Sequence, residues 1–233
     1  MFPPLHSGAT DYGSLSSVSR PIGHHLSAVS CATRAVGKGQ APRMRNWQTF
    51  AIGDQYSHPT FATYGESWFG NSHAMAEQFA EGAKSSGHQV ELISLRGKEI
   101  KFCVGCLSCQ KTGACVFKDD VPAIMDSVLN ADVVCWATPI YYYEMSGQMK
   151  TLIDRMNAMY PKDYRFRDIY LLTTAAENEE FVPKRAEGGL TGWIDCYGKS
   201  ALKGYVFCGG VNDPNDIAGN AKLQEAYEMG KKC

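Results

Sequence analysis

The sequence lacks the long apolar runs and the charge imbalance that mark several large classes of protein. No apolar run approaches the roughly 18 residues that indicate a membrane span, and we expect no signal-peptide core. Lys and Arg number 23 against 24 Asp and Glu, which gives a net charge of -1, and the basic residues form no stripe. Because binding to the phosphate backbone of a nucleic acid relies on clustered basic side chains, the sequence argues against nucleic acid as the main partner.

Acidic residues are scarce in the first 70 positions, which hold only Asp11, Asp54 and Glu66. Residues 1–45 show no sustained helical or strand period, and Ser, Gly and Pro are scattered through them. We therefore predict an irregular or disordered N-terminal extension over residues 1–57. A chain of 233 residues then leaves room for one α/β domain, over residues 58–233.

Cysteine is the exception to this ordinary composition. The chain has 9 cysteines, and four of them lie close together at Cys103, Cys106, Cys109 and Cys115. In a chain without a secretory leader such a run indicates a metal or redox site rather than a disulfide framework. We therefore expect a reducing compartment, and a cytoplasmic location.

Strand and helix patterns alternate from Asn71 onward, which predicts βαβ units and a parallel sheet covered by helices on both faces. With one further strand before Asn71, the sheet has five strands in the order 2-1-3-4-5 within a three-layer α/β sandwich. The predicted strands are 90–95, 132–137, 168–174 and 201–208, and the predicted helices begin at Asn71 and after Asp120 and span 145–159, 190–199 and 218–231.

The first strand is the weak point of this scheme. We place it in residues 58–70, where Pro59 and several polar residues make a poor central strand. Of the two explanations, a divergent strand or a foreign or frame-shifted stretch, we favour the second, which predicts poor folding and little bound cofactor.

Loops that follow parallel strands share the carboxyl edge of the sheet, where ligands bind. Thr138–Tyr143 follows the most apolar strand and offers backbone polar groups and aromatic rings to a flat heterocycle. The alternative is that Pro139 and the tyrosines turn the chain and pack. Asn71 and Ser72 open the first crossover helix, whose N–H groups suit an anion, although an ordinary helix cap explains them as well.

The cysteines have the spacing C-x2-C-x2-C-x5-C. Three ligands spaced by two residues are similar to the run that holds a [4Fe-4S] cluster in bacterial ferredoxins. Structural zinc fits less well, because zinc sites usually pair two knuckles across a longer spacer. Reduced cysteines packed within the protein, or a redox-active pair, would also explain the run.

Three strings resemble the NADPH-dependent FMN reductase and iron-sulfur flavoprotein family. They are FCVGCLSCQKTGACVFKDD (102–120), ADVVCWATPIY (131–141) and MKTLIDR (149–155), and the resemblance extends from Asn71 to about Lys231. It implies a flavodoxin-like fold, bound FMN, a nicotinamide electron donor and usually a homo-oligomer, and the cysteine spacing matches the iron-sulfur members of the family. The residues that it places at the flavin, together with neighbours on the same edge, are Asn71, Ser72, Thr138, Pro139, Ile140, Tyr141, Tyr142, Tyr143 and Thr174.

The resemblance predicts an FMN-dependent oxidoreductase that takes hydride from NAD(P)H and passes electrons to a quinone, flavin, metal or protein acceptor, through a [4Fe-4S] cluster if the cysteines hold one. The alternative is an electron carrier or redox-sensing module without turnover of its own. Because the flavin performs the hydride chemistry, we assign no catalytic side chain. Lys150, Asp154 and Arg155 either order a loop or subunit contact or form a solvated charged face.

Overall fold

The computed structural model describes the backbone of residues 48–53 and the whole of residues 70–233. Its five longer strands run parallel in the order β2-β1-β3-β5-β6, and a short strand, β4, pairs antiparallel with the end of β3. The strands are β1 Gln48–Gly53, β2 Gln89–Ser94, β3 Val133–Tyr141, β4 Glu144–Met145, β5 Asp168–Thr174 and β6 Ala201–Cys208.

Helices follow most of the strands and cover both faces of the sheet. They are α1 Asn71–Ser85, α2 Ser108–Thr112, α3 Val121–Asn130, α4 Gly147–Arg155, α5 Lys184–Asp195 and α6 Ala221–Lys232, with a 3-10 turn at Met156–Met159. No helix of the described chain is both long and apolar enough to cross a bilayer.

Strand β3 shows how the sequence builds two cores. Its alternate residues face opposite sides, so that Val134 and Trp136 pack with α3, α4 and α5, whereas Val133 and Cys135 pack with α1 and α6. A strand buried on both faces has to be apolar throughout, which explains its composition. The carboxyl end of β3 therefore lies at the centre of a three-layer α/β sandwich.

The structure corrects three predictions about the elements. The first strand is Gln48–Gly53, inside the predicted extension and bonded on both sides to β2 and β3. The sheet is mixed rather than wholly parallel, because β4 turns back on β3. Helix α5 begins at Lys184, six residues before the predicted start. The segment 58–69, where we predict the first strand, lies outside the described residues.

Candidate functional site

A cleft opens where α1 begins, at the carboxyl edge of the sheet. Its walls come from the start of α1, the end of β3, the loop after β5 and the loop after β6. The lining residues are Gly70, Asn71, Ser72, Pro139, Ile140, Tyr141, Thr174, Ala175, Ala176, Val211, Asn212 and Pro214. The structure therefore brings six of the nine predicted cofactor residues together.

The N-terminus of α1 faces this cleft without a side-chain cap. Gly70 is the N-cap, and the first intrahelical bond runs from the Ala74 N–H to the Gly70 carbonyl at 3.1 Å. The backbone N–H groups of the first turn therefore have no acceptor within the helix. The helix dipole favours an anion in front of them. Asn71 and Ser72, read as possible caps, are already inside the helix.

The Asn71 side chain serves another purpose. Its Nδ2 donates to the Asp213 carbonyl at 3.0 Å, and its Oδ1 accepts from the Ile217 N–H at 3.2 Å. Both partners belong to the loop between β6 and α6. Asn71 therefore holds that loop against the start of α1 and so shapes one wall of the cleft.

Three hydroxyl groups of the predicted site are buried and position its walls. Ser72 Oγ and Thr174 Oγ1 lie 2.6 Å apart and join α1 to the end of β5. Thr138 Oγ1 donates to the Pro139 carbonyl at 3.0 Å and accepts from the Ser146 N–H at 3.1 Å. Thr138 is buried and does not line the cleft, so its place is behind the wall.

Pro139, Ile140 and Tyr141 end β3 and form the apolar wall of the cleft. Tyr142 and Tyr143 lie outside the cleft, in the turn between β3 and β4, and line a neighbouring compartment. The Tyr143 hydroxyl donates to Glu177 Oε1 at 3.3 Å. The charge of Glu177, reinforced by this bond, raises the pKa of Tyr143, so its phenol is neutral at physiological pH.

The donor groups and the walls suit FMN. No described residue that lines the cleft carries a charge, so no carboxylate opposes a phosphate placed at the α1 N-terminus. A phosphate accepts hydrogen bonds from such free N–H groups, and the proline, isoleucine and tyrosine at the end of β3 offer an apolar wall to a flat ring. The arrangement can therefore hold an anionic tail at one end and an apolar ring at the other.

The cysteine loop runs outside the sheet between β2 and α3. Cys103 and Cys106 are exposed, Cys115 is half-buried, and Cys109 is buried, with Asn157 Nδ2 3.8 Å from its sulfur. Hydrogen bonds from the Ser108 backbone and hydroxyl lower the pKa of the Cys106 thiol. Within residues 70–233, no three His, Cys, Asp or Glu side chains are arranged to hold one metal ion.

Arg155 and Asp119 clamp the two ends of this loop. The guanidinium donates to both Asp119 carboxylate oxygens, at 2.6 and 3.0 Å, and Nη1 also donates to the Lys101 carbonyl at 2.8 Å. Both side chains are fully buried. Although burial acts to raise the pKa of Asp119, the bonds from Arg155 and Lys101 outweigh it and hold the pKa below its usual value.

The Arg155 guanidinium also lies 5.0 Å from the centre of the Phe117 ring. Lys150 and Asp154, by contrast, form an exposed pair at 2.6 Å on the outer face of the same helix. Of the two interpretations of MKTLIDR, loop ordering therefore describes Arg155, and a solvated face describes Lys150 and Asp154.

Comparison with known proteins agrees with the motifs. The NADPH-dependent FMN reductase family matches residues 67–181. Over these residues the chain is similar to the NADPH-dependent FMN reductase family. Two proteins of Archaeoglobus fulgidus, each named an iron-sulfur flavoprotein, are 38% identical to it over 88 and 98 residues. These matches cover 38% and 42% of this chain and 40% and 48% of the two relatives, so the chain matches less than half of their length.

The fold of the chain agrees with solved structures. An NAD(P)H:quinone oxidoreductase from Methanothermobacter marburgensis superposes with a TM-score of 0.60 at 16% identity, over 81% of this chain and 96% of that one. At this identity the likeness concerns the fold alone. Together with the order of the five parallel strands, it shows that the fold is flavodoxin-like.

Sequence reasoning missed the contribution of the last crossover. Val211, Asn212 and Pro214 line the cleft, although no motif singles them out. The available signal was topological: Gly209 and Gly210 follow β6, and the loop after any parallel strand lies on the carboxyl edge of the sheet. Gly70 was missed for another reason, since it becomes informative only once the first helical bond is known.

Proposed function

We propose that the protein binds FMN in the cleft and transfers hydride from NAD(P)H to a quinone, flavin, metal or protein acceptor. The observation that carries the proposal is the uncapped N-terminus of a 15-residue helix opening into an uncharged, partly apolar cleft at the carboxyl edge of the sheet. The match of residues 67–181 to the NADPH-dependent FMN reductase family supports the same cofactor. The homo-oligomeric assembly and the cytoplasmic location remain predictions.

The chain's own residues would bind and orient the cofactor. The first-turn N–H groups of α1 would receive the phosphate, and Asn71, by holding the Asp213 carbonyl and the Ile217 N–H, keeps the last loop closed beside it. Pro139, Ile140 and Tyr141 would exclude water from one face of the ring. When bound, FMN supplies the hydride acceptor and the route for electrons.

A charge placed at Gly70 tests the phosphate site. Gly70 has extended dihedrals, with φ -69° and ψ 159°, and a Cβ there would meet no atom of the described residues within 4 Å. Asp and Asn are both good N-caps, so neither Gly70→Asp nor Gly70→Asn should lower the stability of the apoprotein. Only the aspartate repels a phosphate. We expect Gly70→Asp to weaken FMN binding about tenfold or more, and Gly70→Asn to change it less than about threefold.

Fluorescence titration of the apoprotein with FMN measures both dissociation constants, and thermal unfolding without FMN provides the stability control. Equal affinities for the two variants would contradict a phosphate at this helix. Steady NAD(P)H oxidation by the holoprotein with an added acceptor distinguishes an enzyme from an electron carrier, which a partner protein alone would reduce.

We also propose an iron-sulfur cluster on Cys103, Cys106, Cys109 and Cys115. The spacing, the position of the loop outside the sheet and the names of the two Archaeoglobus relatives support it. Four thiolates are a suitable donor set, because each can bind one iron of the cluster. We derive no step of the reaction through the cluster.

Iron and sulfide assays on anaerobically purified protein test the cluster. We expect about four irons per chain, and we expect replacement of any one of the four cysteines by serine to lower that content while the far-ultraviolet circular dichroism stays unchanged. Cys196→Ser is the matched control, because Cys196 is also exposed but lies at the end of α5, outside the run. Bound zinc, or iron that is insensitive to the four substitutions, would contradict the proposal.

A further inference from the structure

A second compartment adjoins the proposed FMN cleft. It is lined by Ile140, Tyr142, Tyr143, Ala175, Ala176, Glu177 and Val182. Ile140, Ala175 and Ala176 line both spaces, so a molecule here lies next to the contents of the cleft. Its volume, about 360 Å³, lies within the range of small-molecule sites.

The turn that forms one wall of this compartment is strained. Tyr142 and Tyr143 are the two central residues of the hairpin between β3 and β4, and both are left-handed, with φ 50° and 67°. Two-residue hairpins of this kind favour Asn-Gly, because side-chain-bearing residues adopt positive φ at an energetic cost. Two consecutive tyrosines here indicate that their rings have a function, since strained backbone tends to occur at functional sites.

The two rings differ in how they are held. Tyr143 is fixed by the Phe181 ring, with centroids 5.7 Å apart, by its bond to Glu177, and by the Arg185 guanidinium 5.9 Å from its centroid. Tyr142 is 96% exposed, and no hydrogen bond or ring contact joins its side chain to another described residue. The flat face of Tyr142 is therefore available to a molecule in the compartment.

We propose that this compartment binds the electron acceptor, that the acceptor is an uncharged planar aromatic molecule of the quinone class, and that Tyr142 stacks on it. The proposal rests on the proposed function. It assigns Tyr142 and Tyr143 to the acceptor site, whereas the sequence alone places them at the flavin. A quinone would take a hydride equivalent from reduced FMN and a proton from water, and leave as the hydroquinone.

The charges around the compartment favour a neutral acceptor over an anionic one. Glu177 lies in its lining, and the exposed residues Glu179 and Glu180 follow two and three positions later. Arg185 lies over the Tyr143 ring. Carboxylates at the mouth of a site repel anions and lower their rate of association, an effect that salt screens.

Reoxidation of the reduced holoprotein tests the proposal independently of NAD(P)H. The bound flavin is reduced photochemically without oxygen and mixed in a stopped-flow instrument with 1,4-naphthoquinone, its 2-sulfonate, or ferricyanide. Stacking on an aromatic side chain strengthens the binding of a flat ring, so we expect Tyr142→Ala to raise the half-saturating naphthoquinone concentration about fivefold or more. Tyr142→Phe, which keeps the ring, should stay within about twofold of the unmodified protein.

Ferricyanide has no flat face, so its rate should not respond to Tyr142→Ala, and the sulfonate should react more slowly than naphthoquinone at low salt. Loss of both rates together, or no change in either, would overturn stacking by Tyr142. Release of FMN from Tyr142→Ala would assign the ring to the flavin instead. Equal reactivity of the sulfonate would overturn the preference for neutral acceptors. A purified protein whose absorption spectrum shows no FMN would overturn the proposed function itself.

Discussion

At the scale of single residues, Arg155 holds the two ends of the cysteine loop in place. The chain between Lys101 and Asp119 contains four exposed apolar side chains and little secondary structure, yet both of its ends are fixed by one guanidinium. Two charges that are fully withdrawn from water are costly unless each is satisfied by the other. Removing one partner should therefore cost far more than removing a surface pair.

We expect Asp119→Asn to lower the free energy of unfolding by about 3–5 kcal/mol, because it leaves the Arg155 charge buried without its partner. Asp154→Asn is the matched control. Asp154 is the residue before Arg155 in α4, and its ion pair with Lys150 is exposed, so the substitution should change the free energy of unfolding by less than about 1 kcal/mol. Urea denaturation followed by circular dichroism measures both, and equal effects would contradict the clamp.

The same carboxylate gives a pH dependence of known sign. The folded pKa of Asp119 is lowered, so the unfolded chain binds its proton more readily, and the pair stabilises the fold above the ordinary Asp value of about 3.9. That stability is lost as the pH falls through the folded pKa. Between about pH 5 and 2, Asp119→Asn should therefore lose less stability than the unmodified protein, as acid denaturation at fixed urea would measure.

At the scale of elements, two glycines set the distance between α1 and α6. A methyl group at Gly82 would overlap the Tyr227 carbonyl, and one at Gly230 would overlap the Phe79 carbonyl. Each glycine therefore meets the backbone of the opposite helix, and neither site has a flexible side chain that could move away. The axes of α1 and α6 lie close together because neither glycine places a side chain between the two backbones.

We expect Gly82→Ala to lower the free energy of unfolding by about 1–3 kcal/mol or more, because the clash is with backbone, and to weaken FMN binding by shifting α1. Gly192→Ala in α5 is the control. A Cβ there meets nothing within 4 Å, so the higher helix propensity of alanine should raise stability by roughly 0.5–1 kcal/mol. Thermal unfolding of both variants checks the opposite signs.

At the scale of the whole molecule, strong periodicity decided what the sequence could predict. The bounds of β5 and β6 fall where the sequence predicts them, and α1 begins at the predicted Asn71. The start of α5 was missed because Gly188 and Gly189 have low helix propensity. The structure does not require a glycine at position 189, because a Cβ there would make an ordinary van der Waals contact with Met145 in β4, at 3.4 Å.

Local sequence patterns could not predict the position of the first strand or the burial at the ends of the cysteine loop. Gln48–Gly53 is short, is preceded by irregular sequence, and has its identity as a strand fixed by its pairing with β2 and β3. Pairing across such distances in the chain has no local signature. The burial of Arg155 and Asp119 could not be predicted from the sequence either, because the same residues on a solvated helix face would have the same local sequence pattern.

The bonds of Asn71 have a consequence for how the protein is made. The Asn71 side chain accepts a hydrogen bond from the backbone N–H of Ile217, which is synthesised 146 positions later. Helix α1 also packs on α6, which is synthesised later still. At about 5–20 residues per second, a ribosome takes roughly 7–30 seconds to cover that interval. Throughout it the apolar face of α1 lacks its covering helix and the cleft lacks one wall, so we expect the chain to take up FMN only after the last helix is complete.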